Sequence, residues 1–140
     1  WGDVTRTVVR GRASEQVRRM YRAVAAAQRL ALAMVRPGVE SQAVQLAVED
    51  YFRKAGFPPK LSPPGRESGF IHSVGHGVGL DIHESPGLRH EPGRIAAGHV
   101  LTVEPGLYYP GLGGVRIEDL VVVTRTGHKI LASFPKKLET

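Results

Sequence analysis

Four of the six histidines lie between His72 and His90, three of them within residues 72–83. Gly75, Gly77 and Gly79 crowd around His76, and the stretch runs on into His83-Glu84-Ser85-Pro86. Glycines there permit a left-handed backbone and let another group approach the main chain closely. The segment reads either as a glycine-rich turn whose histidines make hydrogen bonds or as a chemical site. Three imidazoles grouped beside a His-Glu pair favour the site. The acidic partners follow. Glu104 stands in Thr102-Val103-Glu104-Pro105-Gly106, where the proline ends a strand, so its carboxylate is displayed at a strand terminus. Glu118 lies inside residues 115–123, an apolar, β-branched run. Side chains two apart share a strand face, which groups Arg116 with Glu118 and leaves Ile117, Asp119 and Val121 on the other. A carboxylate in so apolar a strand needs compensation, because burying an unpaired charge is costly. Arg116 could supply it as an ion pair, or a metal ion could. Asp3, taken alone, reads as a strand-start or turn aspartate.

These groups need elements to position them. Residues 4–9, Val-Thr-Arg-Thr-Val-Val between Gly2 and Gly11, predict a strand. Ser14 can cap a helix whose apolar positions are Val17, Met20, Tyr21, Val24, Leu30 and Met34, with Arg36-Pro37-Gly38 as its stop. A second helix is predicted from about Ser41, with Val44, Val48, Tyr51, Phe52 and Ala55 as its buried face and Gly56 as its C-terminal cap. Four prolines make residues 57–69 a loop. Residues 100–103 and 115–123 predict strands, and Ile130-Leu131 pairs with the end of the latter across Thr126-Gly127. Helices first and strands later, with no repeated βαβ unit, indicate an α+β domain.

Composition narrows the class. The 140 residues fit one domain, and 41% hydrophobic with 23% charged content excludes a disordered chain. No apolar run approaches the roughly 20 residues a membrane helix needs. The net charge of +6 comes from scattered arginines, and nine aromatics are too few for the basic, stacking surface of a nucleic-acid binder. The absence of cysteine excludes disulfides and thiolate metal sites. With no signal peptide in view, a cytoplasmic protein is expected.

Four stretches then occur in order: Asp3-Val4-Thr5-Arg6-Thr7; His72 through His76 and His83-Glu84 to Pro86; Thr102-Val103-Glu104-Pro105-Gly106-Leu107-Tyr108; and Gly114-Val115-Arg116-Ile117-Glu118-Asp119. Together they resemble the Xaa-Pro peptidases, prolidase and aminopeptidase P, within the pita-bread metallopeptidases. The resemblance implies a pita-bread fold, incomplete on its N-terminal side, with residues 1–140 as the carboxy-terminal portion of a single catalytic domain. It implies hydrolysis of the peptide bond preceding proline by two divalent ions, Mn²⁺ or Co²⁺ ahead of Zn²⁺. Asp3, His76, Glu104 and Glu118 match metal ligands. His72 and His83 match histidines that bind the peptide or stabilise the tetrahedral intermediate, Glu104 can also move a proton, and Arg116 matches a supporting arginine. Tyr108, Tyr109 and Leu112 are candidate walls of a proline pocket, or packing residues.

The resemblance also implies a homodimeric parent acting on proline-containing peptides, without nucleic acid or membrane. The family uses one more ligand, an aspartate upstream of the position matched by Asp3, and this sequence starts at Trp1, after it. A fragment or processed chain with weak or no activity is therefore expected. The competing expectation is a non-catalytic pita-bread module that binds other proteins.

Overall fold

Ser14 opens the first element. Its hydroxyl accepts the Val17 N–H at 3.3 Å, and helix α1 runs over Glu15–Met34. The structure, a computed structural model, describes residues 1–58 and 67–140. The core stripe of α1 is Met20, Ala23, Val24, Ala27, Ala31 and Leu32, with Gln28 buried among them. Leu30, predicted on that face, is only half-buried. The small alanines at 23, 27 and 31, four residues apart, are what let the helix sit close to its neighbours. Helix α2 spans Ser41–Lys54 and buries Val44, Val48 and Phe52, with Tyr51 and Ala55 at the margin. It ends as its sequence requires. Gly56 takes φ +82°, its N–H donates to Arg53 O, and the Phe57 N–H donates to Phe52 O at 2.8 Å. Of the predicted 57–69 loop, residues 59–66 lie outside the described residues. At its far end Gly69 pairs with Tyr108.

Seven strands follow among the described residues. They are β1 Gly75–Gly77, β2 Glu84–Leu88, β3 Val100–Val103, β4 Gly106–Tyr109, β5 Gly113–Arg116, β6 Asp119–Val123 and β7 His128–Ile130. Five form an antiparallel sheet in the order β2-β1-β3-β6-β7, and β4 and β5 form a separate hairpin. The two helices pack on each other and over this sheet, enclosing Leu101, Val103, Leu107, Ile117 and Val121. Leu101 and Val103 share one face of β3, so Thr102 and the residue after the strand, Glu104, face the other way. That second face carries the site. The predicted β7 hairpin forms, with Thr124 N–H on Gly127 O.

Two predicted strands come out differently. Residues 115–123 do not form one strand. The run pairs with β4 as far as Arg116, and at Ile117 and Glu118 it bonds the N-terminal segment. From Asp119 onward it pairs with β3. Changing partner mid-run breaks the alternation, so Ile117, Glu118, Asp119 and Leu120 are all buried in succession. Among the described residues, residues 4–9 make two bridges, Arg6 to Ile117 and Val9 to Glu139. Between them the Thr7 hydroxyl takes both the N–H and the C=O of Arg116, each at 3.0 Å, in place of backbone pairing. Among the described residues no helix is long and apolar enough to cross a membrane.

Candidate metal centre

His76 is presented by β1, a strand that only glycines could build. A Cβ on Gly75 would lie 1.9 Å from the Thr102 carbonyl oxygen, and one on Gly77 would lie 2.5 Å from that of Glu84. Neither glycine has a positive φ. They serve close strand approach, the second of the two uses the sequence allowed, and not a left-handed backbone. The His76 N–H donates to Thr102 Oγ1 at 2.9 Å, and the ring Nδ1 lies 3.1 Å from Gly77 O. With Nδ1–H held by that carbonyl, Nε2 offers a lone pair.

What Nε2 faces is acid. Asp3 Oδ2 and Glu104 Oε1 each stand 3.4 Å from it. Glu104 follows β3 directly, and its N–H is anchored to Val74 O at 2.7 Å. Glu118 is 2% exposed and accepts the Thr5 hydroxyl. Asp3, His76 and Glu118 each bring a ligand atom within 4.8 Å of the others. Burial pushes the Glu104 carboxyl up to about 7, with repulsion from Glu118 and Asp3 adding to it against the Thr102 hydroxyl and Arg116. Burial also raises Glu118, helped by Asp3 and opposed by Thr5 and Arg116.

Arg116 compensates this cluster only in part: its Nε is 3.9 Å from Glu118 Oε2 and donates to Thr5 Oγ1 at 3.1 Å. Three carboxylates crowded around one imidazole exceed the single charge that Arg116 brings. Hard oxygen donors with one nitrogen are the donor set of a divalent ion, so the residues fit one.

A cleft of about 320 Å³ opens beside this cluster, lined by His72, His76, His83, Arg89, Glu104 and Arg116. The His83 ring meets the His76 ring edge-on, with centroids 4.3 Å apart. His72 is held at both nitrogens: Nδ1 is 2.8 Å from Ser73 O, and Nε2 is 2.9 Å from the Tyr108 hydroxyl, which also receives Arg116 Nη1 at 3.4 Å. Burial lowers its pKa and keeps the ring neutral. Of the candidate pocket walls, Tyr108 contacts His72 and Arg116, which line the cleft. Tyr109 packs on Phe57 with centroids 6.3 Å apart, and Leu112 packs on the core. A larger cleft of about 450 Å³ adjoins, sharing His72, Ser73 and Arg89 and adding Phe52, Phe70 and Ile71.

Sequence reasoning brings Asp3, His76, Glu104 and Glu118 to one place, with His72, His83 and Arg116 around them. It missed Thr5, Thr102 and Arg89. Thr5 and Thr102 each stand two residues from a carboxylate on an extended segment, a spacing that could have marked them. Nothing local marked Arg89.

The relatives are consistent with this arrangement. A match to Metallopeptidase family M24 covers residues 1–125. The chain is 39% identical to the uncharacterized peptidase YqhT of Bacillus subtilis, over 97% of this chain and 36% of that protein. It is 38% identical to the Xaa-Pro dipeptidase of Pyrococcus furiosus, over 97% and 37%. Superposed on the prolidase from Pyrococcus horikoshii OT3, it gives a TM-score of 0.87 at 34% identity, covering 98% of this chain and 37% of that one. The X-Pro aminopeptidase from Thermotoga maritima MSB8 gives 0.86 at 32% identity, covering 99% and 37%. The chain thus spans little more than a third of the length of these relatives, and over that span it has their mixed α+β, pita-bread fold. Sequence, fold and donor set agree, and the chain belongs to metallopeptidase family M24.

Proposed function

We propose that these 140 residues are the carboxy-terminal portion of one pita-bread catalytic domain. Its protein hydrolyses the peptide bond preceding proline, as an Xaa-Pro dipeptidase or aminopeptidase. The observation that carries this is the convergence of Asp3, Glu104 and Glu118 on His76 Nε2. Relatives named Xaa-Pro dipeptidase and X-Pro aminopeptidase support the substrate class.

In this reading Asp3, His76, Glu104 and Glu118 hold divalent ions, two in the complete site, with Mn²⁺ or Co²⁺ ahead of Zn²⁺. Divalent ions supply Lewis acidity that polarises the scissile carbonyl and makes water acidic enough to attack at neutral pH. Glu104 also moves a proton from the attacking water to the leaving amine. His83 is the imidazole placed to steady the developing oxyanion, because both nitrogens of His72 are already engaged. Arg116 keeps Tyr108 and Thr5 in place.

The four donors are one short of the family's set, so the 140-residue chain alone holds one ion well and cleaves Xaa-Pro peptides slowly or not at all. A homodimeric parent is part of this reading, which sedimentation tests. The proposal includes a cytoplasmic location, which cell fractionation tests. The central experiment is calorimetric titration with Mn²⁺. One tight site, abolished by His76→Ala and Asp3→Asn, is expected. No binding would favour a non-catalytic module, and two tight sites would refute the one-ion statement.

A further inference from the structure

Asp3 and Glu118 sit on segments far apart in the chain, and neither segment is a regular strand at that point. Something other than a ladder must keep their carboxylates side by side. One side chain spans the gap without touching either carboxylate. Arg6 Nη1 donates to Thr5 O at 2.9 Å and to Glu118 O at 2.5 Å. Its Nη2 donates to Asp119 Oδ1 at 2.6 Å and to Phe134 O at 3.1 Å, and Nε donates to Phe134 O at 3.3 Å. A guanidinium has five N–H donors in a planar fork, and all five are used here. The fork is moored in turn. Asp119 Oδ2 takes Lys136 Nζ at 2.6 Å and Gln28 Nε2 at 2.9 Å, while Lys136 also reaches Gln28 Oε1 at 2.8 Å. Gln28 is fully buried in α1.

We propose that Arg6 is the positioning residue that holds the Asp3 and Glu118 carboxylates together, with Asp119, Lys136 and Gln28 as its mooring. Its grip on Thr5 O and Glu118 O sets how the two segments lie. The Glu118 N–H donates to the same Thr5 O at 3.0 Å, and the Thr5 hydroxyl reaches the Glu118 carboxylate. Asp3 lies two residues before Thr5, so its carboxylate follows. A lysine at position 6 keeps the charge but lacks the planar fork. What the two carboxylates bind rests on the metal reading above; how they are held does not.

Amide hydrogen exchange and Mn²⁺ titration of Arg6→Lys test this, with Val48→Ala as a control that loosens the core far from the clasp. Arg6→Lys should speed exchange of the Glu118 amide by about tenfold relative to the amides of β3 and β6, and weaken Mn²⁺ binding by about tenfold or more. Val48→Ala should lower the melting temperature and leave both readouts alone. Should Arg6→Lys fail to fold, Lys136→Met removes one mooring and should move both readouts the same way by less. Unchanged exchange and affinity in the folded variant overturn the proposal. A wild type that binds no Mn²⁺ while Arg6→Lys still loosens Glu118 overturns the metal reading and supports the positioning.

Discussion

Replacing Gly75 by alanine tests the claim that β1 exists only because its neighbours can close on bare backbone. The new Cβ would meet Thr102 O at 1.9 Å, Thr102 C at 2.8 Å and Thr102 Oγ1 at 3.1 Å. The first two are main-chain atoms in the middle of the sheet, so no side chain can swing aside. Relief requires β1 and β3 to separate by more than about 1 Å, well beyond a van der Waals gap that already forfeits much of the contact. That motion strains three hydrogen bonds: His76 N–H to Thr102 Oγ1, Val78 N–H to Val100 O and Glu104 N–H to Val74 O. Losing two of them costs about 2 kcal/mol, and overpacking adds about 1–3 kcal/mol. Against this, alanine restricts the unfolded chain and returns about 0.4–1 kcal/mol. The net is a loss of about 2–4.6 kcal/mol. With an unfolding entropy of about 0.3 kcal/mol/K for 140 residues, the melting temperature should fall by about 7–15 °C. Gly127→Ala is the control, since its added Cβ meets nothing within 4 Å, and it should stay within about 0.5 kcal/mol of wild type. Calorimetric melting reads both. A Gly75→Ala protein that melts with wild type would refute the close-approach account of β1.

Two further outcomes follow from burial and charge. Phe52 is 0% exposed and its ring lies 5.3 Å from that of Phe70, so Phe52→Ala should cost about 3–5 kcal/mol in denaturant unfolding, and a loss under about 1 kcal/mol would refute its place in the core. Stability of the metal-free protein should fall as pH rises from 4.5 to about 7, because a carboxyl raised by burial and by Glu118 binds a proton in the folded state that the unfolded chain has already released. The effect is of order 3 kcal/mol, and Glu104→Gln should flatten it; a wild-type melting temperature that rises over that interval would contradict the raised carboxyl. At the acid end the slope reverses, since Asp119, lifted by burial but held down more strongly by Lys136 and Arg6, loses its partners' stabilisation only as pH drops below its ordinary 3.8.

Helix ends were legible because their signals are local: Ser14 bonds three residues ahead, and Gly56 adopts the one backbone shape that closes α2. The proposed donors stood out only through four motifs occurring in order, since Asp3 taken alone reads as a strand-start or turn aspartate. The division of residues 115–123 was not, because nothing in that run records that the chain from Thr5 to Thr7 bonds its middle. Leu30 was misplaced because its size outweighed the alanines that form the contact stripe. Tyr108 and Arg116 meet His72 from across a hairpin, and such a meeting leaves no periodicity to read.

The two ends of the chain are stitched to each other: Val9 N–H donates to Leu138 O, Thr140 N–H returns to Val9 O, and Gly11 N–H reaches Thr140 O. Synthesis runs in chain order, so the segment carrying Asp3 must wait for Ile117, Glu118 and residues 138–140 before its partners emerge from the ribosome. The helices and central strands have neighbours close behind them and need no such delay. A nascent chain stalled while residues 134–140 remain in the exit tunnel should protect α1 and β3 from protease and leave the first ten residues open to cleavage. The acid cluster is thus assembled after the helices and the central strands.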